Sequence, residues 1–148
     1  MDFGAFNTQL QIIEKSIKIT SPVTLQVKRA YWGAPAGAIN DLPAVINTLT
    51  EPDRVLGFGS RQQSMRIVVQ LLAARARVED ERAAEIATAL WFAARDVFDK
   101  AHTINGTTTF ATLQGAEPTV PVILTHADIA YIGFNAYLTI KDVEAFVF

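Results

Sequence analysis

Ser64-Met65-Arg66-Ile67-Val68-Val69-Gln70-Leu71-Leu72-Ala73 decides the fold. Met65, Ile67, Val69, Leu71 and Ala73 fall on one side of an extended chain, and Ser64, Arg66, Val68, Gln70 and Leu72 on the other. That period of two over ten residues belongs to a strand, because successive side chains of extended backbone point to opposite faces. The second side mixes polar and apolar residues, so it is partly covered. The stretch reads as a long central strand with a core on one face.

Downstream, residues 79–101 carry a helical pattern. Ala83, Ile86, Ala87, Leu90, Ala94, Val97, Phe98 and Ala101 form one apolar face. Glu79, Asp80 and Glu81 stand at its start and Lys100 and His102 at its end, as the helix macrodipole favours. At about 100° per residue, Phe92 projects from the opposite side among Glu81, Glu85, Asp96 and Asp99. An aromatic in that position needs a partner: the N-terminal helix or a loop of the same chain, or a neighbouring subunit. Asn105 and Gly106 mark a turn, Thr107 to Leu113 a short ribbon, and Val120 to Leu124 a strand that Pro121 confines to an edge or bulge. The last long strand runs from Tyr131 to Lys141, with Ile132, Phe134, Ala136, Leu138 and Ile140 on one face.

Upstream, Phe3, Phe6, Leu10, Ile13 and Ile17 make the stripe of a helix over residues 2–19, capped by Asp2 and stopped by Ser21 and Pro22. An irregular stretch follows to about residue 42. It holds Tyr31, Trp32, Gly33, Pro35 and Gly37, with one short strand at Thr24 to Lys28. Pro43 to Leu49 reads as a strand closed by Glu51 and Pro52. The chain finishes on Phe146, Val147 and Phe148. These elements make one α+β domain over residues 1–148.

Hydrophobic residues make up 50% of the chain and charged residues 19%, below the roughly 25% typical of soluble domains. A surface so short of charge favours association, and a homo-oligomer covers it. The formal charge of -2 offers no general attraction for phosphate. With no cysteine, disulfides, thiolate metal sites and a cysteine nucleophile are excluded. Met1-Asp2-Phe3-Gly4 has neither the basic start nor the apolar run of a signal peptide, and no segment reaches membrane-spanning length. The expectation is a soluble protein without a membrane partner.

Chemical motifs are weak. His126 and Asp128 could share one side of an extended segment as metal ligands or an acid/base pair, but no third ligand stands at a useful spacing. Gly57 and Gly59 lack the third glycine and flanking elements of a dinucleotide fingerprint. Ser60 and Ser64 have no histidine nearby in sequence and no nucleophile-elbow context. The basic pairs Lys28/Arg29, Arg61/Arg66 and Arg75/Arg77 are scattered, with aromatic neighbours only at Tyr31 and Trp32. The chain is expected to be no enzyme, with no catalytic, cofactor-binding or metal residues. A small metal-dependent or nucleic-acid-binding module is the contrasting reading.

The element order, with Tyr31-Trp32-Gly33-Ala34-Pro35 leading into Leu42-Pro43-Ala44-Val45, Arg66 to Leu72 before the Ala-rich helix, Leu113-Gln114-Gly115, and Tyr131-Ile132-Gly133-Phe134, resembles the tail-terminator and tail-completion proteins of long-tailed bacteriophages. The resemblance implies a mixed, largely antiparallel sheet of four to five strands, flanked by an N-terminal helix and one long central helix. It also implies a homohexameric ring on the head-proximal end of the tail tube, assembled in the host cytoplasm, which stops tube polymerisation and joins tail to head. The expected partners are other copies of the chain, the tail tube protein and the head connector or head-completion protein, with DNA only passing through the lumen. A head-completion or adaptor subunit of the same neck is the alternative. Tyr31, Trp32, Phe92, Phe146 and Phe148 are the expected subunit or partner contacts.

Overall fold

The computed structural model describes the backbone of residues 2–57, 60–76, 81–116 and 120–145, and the side chains of the same residues except 51–57, 60–63 and 143–145. Its elements run α1 (Phe3–Lys15), β1 (Lys18–Ile19), β2 (Leu25–Gln26), β3 (Arg29–Trp32), β4 (Ala44–Gly57), β5 (Ser60–Arg75), α2 (Glu81–Asp99), β6 (Phe110–Gly115), β7 (Val122–His126) and β8 (Ile129–Ala145). β1 and β2 form a two-stranded antiparallel pair. The other strands make one six-stranded sheet in the order β3-β4-β5-β8-β6, with β7 also on β8. All its pairings are antiparallel except β3 with β4. The fold is therefore α+β with a mixed, largely antiparallel sheet.

The period-two stretch is the middle of β5, and its alternation is physically obeyed. Met65, Ile67, Val69, Leu71 and Ala73 are buried, with the alternating residues of β8, Ile132 to Ile140, beside them. Both helices cover this face. The inward side of α2 sets Trp91 edge-on to Phe134, ring centroids 5.1 Å apart, and Ala83, Ala87 and Ala94 let the helix approach the sheet closely. α1 adds Phe6, Leu10 and Ile13 to the same core. Its first turn is capped as its sequence requires: the Asp2 side chain accepts from the Ala5 N–H at 3.2 Å.

The opposite face has its own smaller core at one end. Ile39, Ala44, Ile46, Leu72, Leu124 and Tyr131 cluster there. The Tyr131 hydroxyl accepts the Ile39 N–H at 3.1 Å, and Arg75 reaches Asn40 at 2.8 Å. These bonds hold the Pro/Gly segment over that end and leave the rest of the face open.

Several elements differ from the sequence reading. The helix expected over residues 2–19 stops at Lys15, and Lys18–Ile19 pairs instead as β1 with β2. Arg29–Trp32 is a strand parallel to β4, not irregular chain; the Lys28 N–H donates to Pro43 O at 2.8 Å and the Gly33 N–H to Asn47 O at 2.7 Å. A four-residue edge strand is too short to show a period. β4 continues through Glu51 and Pro52 to Gly57, with a register shift between Leu49 and Glu51. Proline is tolerated there because β3 covers only Ala44–Asn47, so by Pro52 the strand is an edge and needs no donor on its outer side. β8 extends to Ala145 because its ladder with β5 runs from Arg75↔Tyr131 to Ser60↔Ala145. Sixteen residues of β5 span about 50 Å at strand rise, and among the described residues the last buried pair toward Ser60 is Met65↔Ile140.

Candidate functional site

Two surfaces stand out, on opposite sides of the molecule. The first is the outward side of α2. Glu81, Glu85, Phe92, Asp96 and Asp99 are all exposed. Phe92 is 54% exposed, and its described company within the chain is Arg95, whose guanidinium lies 5.5 Å from the ring centre. The four acids lie within about 40° of Phe92 around the helix, in a stripe about 27 Å long. Of the partners within the chain that the sequence left open to Phe92, neither α1 nor, among the described residues, a loop buries it.

The second is the open part of the sheet, across β5, β8 and β6. The register aligns Arg66 with Thr139 and Thr139 with Thr112, and next to that row Lys141 with Phe110. With Gln114 these six residues line a pocket of about 310 Å³. Arg66 also lies over the Tyr137 ring at 5.0 Å. Phe110 is 48% exposed and stacks on His102 at 5.9 Å. Position dictates this chemistry: these residues alternate with the buried Met65, Ile67, Ala111, Leu138 and Ile140, so they point away from the helices. Its described lining combines cationic and hydroxyl groups beside an aromatic rim, and the ladder sets Glu51 of β4 opposite Arg66.

Trp32 is half-buried and takes Phe3 edge-on at 4.9 Å, so part of its surface is used within the chain. Tyr31 is half-buried against the smaller core, with the Arg29 guanidinium 5.9 Å from its ring centre. The two lie on β3, far in the sheet order from the pocket, and the structure does not bring them together with Phe92. Phe146 and Phe148 lie outside the described residues. Ala127 and Asp128 form the two-residue turn between β7 and β8, both with positive φ (50° and 61°), as a tight hairpin requires. His126 donates from Nε2 to the Gly37 carbonyl at 2.9 Å, so it pins the Pro/Gly segment rather than facing a ligand. Among the described residues no three His, Asp or Glu side chains group to hold a metal. No described helix is long and apolar enough to cross a membrane.

Sequence reasoning missed one polar pair altogether. Glu14 and Asn47 are both fully buried, and the Asn47 amide donates to Glu14 Oε1 at 2.6 Å and to the Tyr31 carbonyl at 3.2 Å. Glu14 Oε2 and Asn47 Oδ1 are left without a partner. Both orphan atoms are acceptors, so a proton kept on Glu14 supplies the donor that the pair lacks. Burial pushes the Glu14 carboxyl up to about 8, against the lowering effect of the Asn47 bond. The signal was present: Glu14 stands four residues after Leu10 and three before Ile17, inside the apolar stripe. The pair ties α1 to β4 and lies in the core, away from either exposed surface.

No family model matches the chain, and neither does any curated protein.

Proposed function

We propose that this chain is a structural subunit of a phage neck, forming a ring at the head-proximal end of the tail tube that stops tube growth and joins tail to head. The observation that carries the reading is the exposure of Phe92 and Phe110 on opposite sides of one small domain. A ring subunit needs two non-identical faces, one for each neighbour. Aromatic side chains are frequent anchors of such contacts. The low share of charged residues supports the same reading, as does the resemblance in element order. Tyr31 and Trp32, half-buried on the edge strand β3, are further contact candidates, and so are Phe146 and Phe148 by sequence. Ring partners are the tube protein below and the head connector above, with DNA passing through the lumen.

Electron microscopy of particles assembled without this protein tests the role. Overlong tails without heads are expected, and adding the purified protein restores a fixed tail length. Tails of normal length beside heads that leak DNA would overturn the terminator role in favour of head completion.

A further inference from the structure

We propose that the Asn105-Gly106 pair is a self-modification site: the folded turn keeps the asparagine intact, and opening of the turn converts it to aspartate or isoaspartate and so cuts its tie to α1. This goes beyond the neck-subunit reading and does not depend on it.

Asn105 is the one asparagine of the chain that glycine follows. Glycine has no Cβ to shield its amide nitrogen, so that nitrogen can attack the side-chain carbonyl carbon of the residue before it. In the reaction a bond forms between Gly106 N and Asn105 Cγ, and the bond from Cγ to Nδ2 breaks. The departing nitrogen takes up the proton lost by the Gly106 amide and leaves as ammonia. Water then opens the cyclic imide at Cγ, giving aspartate, or at the backbone carbonyl, giving isoaspartate. Both residues are exposed, between α2 and β6. The native turn holds the reacting groups on different partners. The Gly106 N–H donates to Thr103 Oγ1 at 3.0 Å, and Asn105 Nδ2 donates to Gln9 Oε1 of α1, also at 3.0 Å. Imide closure therefore requires both bonds to break. Working against them is Ile104, a β-branched residue at φ 47°, in the left-handed region that such side chains avoid. Its full burial in the core holds that conformation, and opening of the turn releases the strain. After conversion, residue 105 carries a carboxylate with no hydrogen to give Gln9 Oε1, and an isoaspartate adds a carbon to the backbone inside the turn. The native contact does not re-form.

Mass spectrometry of the full chain, incubated folded in mildly alkaline buffer and in parallel unfolded in urea, tests this. Chromatography of the tryptic peptide that begins at Ala101 separates the asparagine, aspartate and isoaspartate forms. The folded wild type is expected to convert at least roughly ten-fold more slowly than the unfolded chain, since the reaction waits on local opening. Thr103→Val and Gln9→Ala each remove one of the two bonds and are expected to speed conversion of the folded protein several-fold. Far-UV circular dichroism matching the wild type shows that a variant is folded while it converts. Asn105→Asp is expected to raise hydrogen exchange of the α1 amides around Gln9 above that of the wild type. Equal rates for folded and unfolded wild type would overturn the protection, and so would variants that fold and convert no faster than the wild type. An Asn105→Asp chain whose α1 exchanges as the wild type does would overturn the tie to α1.

Discussion

Replacing Gly133 by alanine is expected to cost roughly 3 kcal/mol or more of folding stability, and valine at the same position to abolish folding. A Cβ on Gly133 would stand 1.7 Å from the Leu71 carbonyl oxygen and 2.8 Å from its carbon. Those are backbone atoms of the neighbouring strand, at the register shift between Leu72 and Ala74 where β5 swings toward β8. β7 holds Gly133 from the other side through Val122. Relief therefore requires the longest ladder in the fold to separate. Urea denaturation measures the loss directly; an alanine variant with the wild-type midpoint would show that the two strands do not approach so closely.

Glu14→Gln is expected to stabilise the protein by about 3 kcal/mol at pH 7. Glutamine can donate to the pair what the protonated carboxyl donates, without having to take up a proton. An ordinary glutamate titrates near 4.5, whereas burial holds Glu14 at about 8. Between those values the unfolded chain has lost the proton and the folded chain keeps it, so folding takes up a proton. This group's contribution then falls by about 1.4 kcal/mol for each unit rise in pH. Below 4.5 both states are protonated and above 8 both are ionised, so the slope vanishes at each end. The difference in stability between variant and wild type should therefore grow from pH 4.5 to 8 and level off beyond. A difference that stays constant with pH would mean that Glu14 is ionised when folded.

The backbone of the fold was legible where the pattern was long. β5, β8 and α2 each repeat their period over enough residues to override local ambiguity, and their buried faces are those that the alternation and the helical stripe mark. Trp91 escaped because it flanks the alanine-rich stripe, yet it meets Phe134 in the core. Stops were less reliable than periods: Glu51 and Pro52 look like the end of a strand, but proline is harmless on an edge. Parallel pairing of β3 with β4 depends on contacts between separated segments and leaves no local trace in four residues.

The surfaces divide in the same way. Phe92 among acids follows from helix geometry alone, since an angle of about 100° per residue places it. The pocket does not, because Arg66, Lys141, Phe110 and Gln114 come from three strands and their meeting depends on register. Glu14 and Asn47 were hidden by the habit of reading polar residues as outward, although each holds a core position on its own element.

That this chain works by assembling is the claim on which the rest stands, and light scattering on the purified protein at rising concentration tests it most directly. A particle mass that climbs to six times 16.2 kDa and stops there is the predicted result. A mass of one chain at every concentration would contradict the account.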